Sequence, residues 1–216
     1  MKLISLIIVS VVVFSFFVYG MKSQAQQERI MNGLSNLEKS NLKTAILAGG
    51  CFWCLESDLD RLDGIEATIS GYSGGSFDNP TYKDYYKAPS GETPHVEAVQ
   101  VWYDPKKIGF DSIVHYYFRN IDPFDGQGQF YDRGPGYRPV IYYSNDAEKV
   151  IAEAQRAEIE EKHGKKTAVS IEPATTFWPA EEYHQDFYQK SPEHYKRYRK
   201  GSGRDAYIEK LWDGKE

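Results

Sequence analysis

The only two cysteines of this 216-residue chain lie one helical turn apart, in Gly49-Gly50-Cys51-Phe52-Trp53-Cys54. Upstream, Lys43 to Ala48 reads as a short buried strand. Downstream, Leu55 to Leu62 carries apolar residues at helical spacing, so Cys51 falls at a helix start. Unpaired N–H groups and the positive end of the helix dipole favour an anion there, and the Cys51 thiol is expected to titrate below the ordinary thiol range. Cys54, three residues on, is placed to attack an oxidised Cys51.

Three other readings of the pair remain open at this point. A buried cysteine behaves as a small hydrophobe. A structural zinc site needs four ligands at matched spacing, and His95, His115, His163, His184 and His194 contain no His-x₃₋₅-His pair. A disulfide exchanger of the thioredoxin type also carries C-x-x-C at a helix start.

Glu97 is the second candidate. In the strand-like run His95 to Tyr103 it shares a face with Val99, Val101 and Tyr103. Apolar surroundings raise a carboxyl pKa and keep a proton available near neutral pH; a solvent-facing strand edge is the alternative. Two loops, Asn79-Pro80-Thr81-Tyr82 and Asp132-Arg133-Gly134-Pro135-Gly136-Tyr137-Arg138, carry phenols that can donate a hydrogen bond to a neutral oxygen. With 17 tyrosines in the chain, spacing alone does not single these out from packing residues.

The elements that must position these groups follow closely on one another. Ile65 to Gly71 alternates as a strand, Tyr72 to Pro94 is a long polar loop, and Val96 to Tyr103 is a second strong strand. Phe110, Ile113, Val114, Tyr117 and Phe118 make a helical stripe, and Val140 to Tyr143 is a strand. Asn145-x-x-Glu148 opens a helix to His163 with Gly164 as its stop, Thr167 to Ile171 is a last strand, and from Pro179 the chain is helical. The expected fold is α+β: a two-layer sandwich with a split βαβ, ferredoxin-like core and wrapping C-terminal helices.

The first 25 residues stand apart. Met1-Lys2 precedes a nearly unbroken apolar run from Leu3 to Val18, and Ser23-Gln24-Ala25 offers a small-x-small cleavage pattern. An exported protein cut after Ala25 is the expectation, with an uncleaved N-terminal membrane anchor as the alternative; residues 26–42 read as a polar tether and residues 43–216 as the catalytic domain. Net charge is −5 at 41% hydrophobic and 26% charged residues, which gives no sign of nucleic-acid binding.

Six stretches, in order, resemble the A-type peptide methionine sulfoxide reductase family. They are Gly50-Cys51-Phe52-Trp53, Gly71-Tyr72-Ser73-Gly74-Gly75, Asn79-Pro80-Thr81-Tyr82, His95-Val96-Glu97-Ala98-Val99, Asp132-Arg133-Gly134 through Tyr137-Arg138, and Glu182-Tyr183-His184-Gln185. The resemblance implies an α+β fold and the S epimer of methionine sulfoxide, free or in proteins, as substrate. It also implies Cys51 as nucleophile, Glu97 as the acid, Tyr82 and Tyr137 as donors to the sulfoxide oxygen, Asp132 as an organiser, and Phe52 and Trp53 as the seat of the S-methyl group. No bound cofactor is implied.

The chain departs from the family's common pattern in having Cys54 directly after Phe52-Trp53 and no cysteine in residues 201–216. A Cys51–Cys54 disulfide, reopened by an external thioredoxin-like dithiol protein, is therefore the expected recycling route. The protein is expected to act as a monomer on the periplasmic or extracytoplasmic side, repairing oxidised exported proteins. A general disulfide oxidoreductase and a non-catalytic exported binding module are the competing functions.

Overall fold

The computed structural model describes residues 30, 32–38 and 41–212. The chain divides into an N-terminal unit, Met1–Ser40, and a second unit, Asn41–Glu216. In the first, residues 32–38 are helical; the leader or anchor expected over residues 1–25 lies outside the described residues. Among the described residues no helix is long and apolar enough to cross a membrane.

In the second unit the chain runs β1 (Lys43–Ala48), α1 (Phe52–Leu59), β2 (Ile65–Ser73), β3 (Val96–Tyr103), α2 (Phe110–Arg119), β4 (Gly128–Gln129), β5 (Asp132–Arg133), β6 (Val140–Tyr143), α3 (Asp146–His163), β7 (Ser170–Pro173), β8 (Trp178–Pro179), α4 (Phe187–Lys190), α5 (Pro192–Ser202) and α6 (Arg204–Trp212). Among the described residues the main sheet has the order β7-β6-β1-β3-β2-β8. Its pairs are antiparallel except β6 with β7. The four inner strands with α1 and α2 reproduce the split βαβ core that the sequence pattern predicts.

Alternation along the strands separates two apolar clusters. Leu47, Val99, Val101 and Ile141 meet Leu55, Leu59, Ile113, Val114, Tyr117 and Phe118 of the helices, while Ile46, Ala48, Val96, Ala98, Val140 and Tyr142 form a smaller cluster. Burying each large apolar side chain of the first cluster contributes roughly 1.5–3 kcal/mol. The helix layer is thereby held on the face toward which Glu97 points.

Helix α3 starts and stops where its sequence signals say. The Asn145 side chain accepts from Glu148 N at 3.0 Å, the Glu148 carboxylate accepts from Ser144 N at 2.7 Å, and Gly164 closes the helix at φ +61°. The strand expected from Thr167 begins later than its apolar run suggests, at Ser170, and Pro179, expected to open the helical region, instead ends β8, with the first α-helix after it starting only at Phe187. Glu160 accepts from the backbone N–H and hydroxyl of Thr167, and Ala168 N donates to Pro123 O at 2.7 Å, so these residues are fixed as a loop. β2 runs two residues beyond Gly71, pairing Tyr72 with Glu97 and Ser73 with Val96 of β3, and its far edge is covered by the two-residue β8, Gly71 with Pro179 and Tyr72 with Trp178. A strand that short leaves no periodicity to read.

Candidate active site

The turn between β1 and α1 requires its two glycines. Gly50 has φ +81°, and a Cβ there would lie 2.5 Å from Gln129 Cβ; a Cβ on Gly49 would lie 2.7 Å from Ile121 Cγ2. The carbonyls of this turn are satisfied by buried side chains: Tyr117 donates to Ala48 O at 2.7 Å and Arg204 Nη2 to Gly49 O at 3.0 Å. Cys51 follows as the cap of α1, and its carbonyl accepts from Cys54 N at 3.1 Å. Both cysteines are free and buried.

The Cys51 thiol does not titrate as its place at a helix start suggests. Burial pushes it well above the ordinary thiol range, and its hydrogen bond with Cys54 and the nearby Glu97 carboxyl push the same way. Desolvation is the largest cause, because Cys51 is only 6% exposed and a thiolate there is poorly solvated. Cys54 is lowered instead, first by its hydrogen bond from Cys51 and then by the cations of Arg204 and Arg199, against the opposing effect of burial.

Glu97 takes the buried place that its strand face predicts, at 2% exposure. Its carboxyl accepts from Phe52 N at 3.0 Å and from Tyr85 Oη at 3.1 Å. Burial raises its pKa to about 8 despite these bonds, so it carries a proton at neutral pH. Tyr85 is also hydrogen-bonded to Tyr137, which links the two tyrosine loops to Glu97. Tyr82 is partly exposed, and its hydroxyl is pushed up to about 12 by burial and by the charges of Glu97, Cys51 and Asp132. Asp132, raised by burial, accepts from the hydroxyl of Tyr198. A cavity of about 290 Å³ opens beside this group, lined by Tyr82, Tyr85, Tyr86, Arg133 and Gly134 to Tyr137.

Phe52 and Trp53 form an aromatic wall from the first turn of α1. Phe52 is buried against His184 at 4.9 Å between centroids and Tyr72 at 6.0 Å. The half-buried Trp53 stacks on Phe187 at 3.8 Å and donates Nε1–H to His184 Nδ1 at 3.1 Å. Burial lowers the His184 pKa to about 4, which keeps the ring a neutral acceptor. Glu181 ties the wall to the tyrosine loop by accepting from Tyr72 Oη at 2.9 Å and Tyr82 N at 3.0 Å.

A second cleft, about 540 Å³ and lined by Ser57, Tyr188, Tyr195 and Arg199 among others, contains neither cysteine nor Glu97. It is larger, but only the smaller cavity is lined by Tyr82, by Tyr137 and by Tyr85, the phenol that donates to Glu97.

The chain from residue 43 to 216 matches the family model described as peptide methionine sulfoxide reductase. The chain belongs to the peptide methionine sulfoxide reductase family. A relative named peptide methionine sulfoxide reductase MsrA 2, from Staphylococcus aureus (strain MW2), is 46% identical over 170 residues, 78% of this chain and 94% of the relative. MsrA of Listeria monocytogenes is 46% identical over 180 residues, covering 82% of this chain and all of the relative. Among solved structures, reduced Mxr1 of Saccharomyces cerevisiae aligns with TM-score 0.63 at 34% identity, over 70% of this chain and 87% of that one. Methionine sulfoxide reductase A of Corynebacterium diphtheriae aligns with TM-score 0.62 at 27% identity, over 72% and 78%. The reductase is thus a peptide-methionine (S)-S-oxide reductase.

The residues singled out in the sequence of this reductase cluster in one place: Cys51, Phe52, Trp53 and Cys54 on α1, Glu97 on β3, Tyr82 and Tyr137 on the loops, and Asp132 on β5. Four neighbours carry no readable signal. Tyr85 and Tyr198 are two tyrosines among 17, and Glu181 and Arg204 are charges in a polar C-terminal stretch that reads as solvated. Arg204 is in fact 1% exposed, donating to Gly49 O and, at 2.7 Å, to Asn120 O.

Proposed function

We propose that the reductase works through a Cys51 sulfenic acid and a Cys51–Cys54 disulfide, on oxidised methionine in exported proteins. The observation that carries this reading is the buried Glu97 carboxyl docked on the Phe52 N–H, next to Cys51 and on the helix that also holds Cys54, where burial favours its protonated form. The Cys51 thiolate attacks the sulfoxide sulfur as Glu97 gives its proton to the departing oxygen. The protonated oxygen then passes from the methionine sulfur to the Cys51 sulfur as the new S–S bond breaks, so methionine leaves with its lone pair restored and Cys51 holds S–OH. Tyr82 and Tyr137 donate to that oxygen while charge develops on it. Trp53, backed by Phe52 and His184, offers ring surface to the S-methyl group.

Cys54 then attacks the sulfenic sulfur, forming the disulfide and releasing water. Arg199 and Arg204 favour the thiolate this step requires. A thioredoxin-like dithiol protein reopens the disulfide by two exchanges, becoming oxidised itself. The exposed rings of Tyr82, Tyr86 and Tyr183 suit a peptide carrying the oxidised residue better than the free amino acid alone. Export follows from the apolar run Leu3 to Val18 and the Ser23-Gln24-Ala25 pattern. It places the enzyme in the periplasm or on a membrane anchor, where a reductant must be delivered.

The test is a reductant-free single turnover with racemic methionine sulfoxide, with methionine counted by chromatography and the disulfide mapped by peptide mass spectrometry. About one equivalent of methionine from the S epimer and a Cys51–Cys54 linkage are expected. Methionine without that linkage rejects Cys54 as the resolving thiol. Detection of the chain only in the cytosol, with residues 1–25 retained, rejects export.

A further inference from the structure

Resting on Cys51 as the nucleophile, we infer that Tyr198 is a catalytic residue that carries the Cys51 proton to Asp132. Cys51 must lose a proton before it attacks, and Glu97, itself protonated, cannot accept one. The Tyr198 hydroxyl donates to the Asp132 carboxylate and lies against the Cys51 sulfur, where it favours the thiolate. A phenol has a single proton to donate. While that proton is given to the Asp132 carboxylate, the phenol oxygen can accept from Cys51 S–H once that proton turns away from Cys54.

Transfer is then balanced in two linked moves. The S–H proton passes to Tyr198 Oη as the phenol proton passes to Asp132, leaving a thiolate, a phenol that now donates to it, and a neutral Asp132. The ring is held for this by its edge-on contact with Trp53, 5.7 Å between centroids at 80°. Cys54 is the other acceptor in reach of Cys51. It is 1% exposed, and a proton left there must come off again before Cys54 can attack the sulfenic acid. Asp132 and Tyr198 are only half-buried, so the proton taken by Asp132 has a way to water.

The groups facing Asp132 are Tyr198 on α5, Arg204 on α6, Glu97 on β3, and Tyr82 and Tyr137 on the loops. Arg204 favours the carboxylate and Glu97 opposes a second charge. Burial raises Asp132 above the ordinary carboxylate range, so the rate should fall on the acid side as Asp132 fills with its own proton.

The experiment is rapid-quench single turnover of the full chain between pH 5 and pH 9, for Tyr198→Phe, Asp132→Asn, their combination, Cys54→Ser and Cys51→Ser, with near-ultraviolet circular dichroism to verify folding. Tyr198→Phe and Asp132→Asn are each expected to slow methionine release about 100-fold, with the double variant no slower than either. The acid limb should vanish in Tyr198→Phe and persist in Cys54→Ser. A native rate in folded Tyr198→Phe, or a slowed rate with its acid limb intact, overturns the relay. Loss of that limb in folded Cys54→Ser assigns the proton to Cys54 and overturns the relay equally. Cys51→Ser releasing methionine would instead overturn the nucleophile itself.

Discussion

The Glu97 carboxyl on β3 accepts a hydrogen bond from the backbone N–H of Phe52, the first residue of α1, at 3.0 Å. A helix start has N–H groups without partners inside the helix. Here one of them is satisfied by the acid itself, which docks the strand against the turn bearing Cys51. The bond favours the carboxylate, but burial outweighs it and the group remains protonated at neutral pH.

Replacement of Glu97 by Gln preserves an acceptor for Phe52 N while removing the transferable proton. The variant is expected to fold and to reduce methionine sulfoxide roughly 100- to 1,000-fold more slowly in a single turnover. In the native enzyme the same rate should fall as pH rises through about 8, where Glu97 loses its proton. Retention of the rate at pH 9.5 would exclude Glu97 as the donor.

His184 is expected to act through substrate binding. Its Nδ1 accepts from Trp53 and its ring lies 4.5 Å from that of Tyr82 between centroids. His184→Ala loses one hydrogen bond and a ring contact, together about 1–2 kcal/mol, so KM should rise about 5- to 30-fold with a smaller change in kcat. With a pKa near 4, His184 stays neutral above pH 5 and should add no limb to the pH profile; steady-state kinetics of the variant from pH 5 to 8 measures both.

Glu56 on α1 is fully buried, accepts from Asp186 N at 3.1 Å and leaves Oε1 without a hydrogen bond. Burial and the Asp186 charge raise its pKa from 4.5 to about 8. Between these values the folded chain holds a proton that the unfolded chain has released, so stability falls as pH rises through that window. Glu56→Gln removes this dependence. Urea denaturation at pH 8.5 should find the variant more stable than the native enzyme by on the order of 3 kcal/mol relative to their difference at pH 4.5. Parallel loss of stability in the two proteins would show that Glu56 is ionised throughout.

Arg204 holds the turn from outside the α1 layer. Arg204→Lys keeps the charge, but a single ammonium cannot span Gly49 O and Asn120 O as the guanidinium fork does. One buried carbonyl loses its donor, and chemical denaturation is expected to register a loss of about 1–3 kcal/mol. Disulfide formation after the first turnover should also slow if the Cys54 thiolate is weakened; stopped-flow detection of that phase provides the measurement.

Local sequence determined the parts of this protein whose causes are local. The apolar alternation of β1, β2, β3 and β6 and the stripe of α2 were legible because strand and helix periods are set by neighbours along the chain. So were the cap and stop of α3. The six motifs gave the family, the α+β fold and the cluster of Cys51, Glu97, Tyr82, Asp132 and Tyr137. Tertiary structure decided the rest. The Cys51 thiol is raised chiefly by burial, which no dipole argument at a helix start contains. Tyr198 joins Asp132 across 66 residues, and Arg204 reaches Gly49 across 155. Such pairings leave no periodicity or spacing in the sequence, because they exist only once the C-terminal helices have packed against the turn that carries the nucleophile.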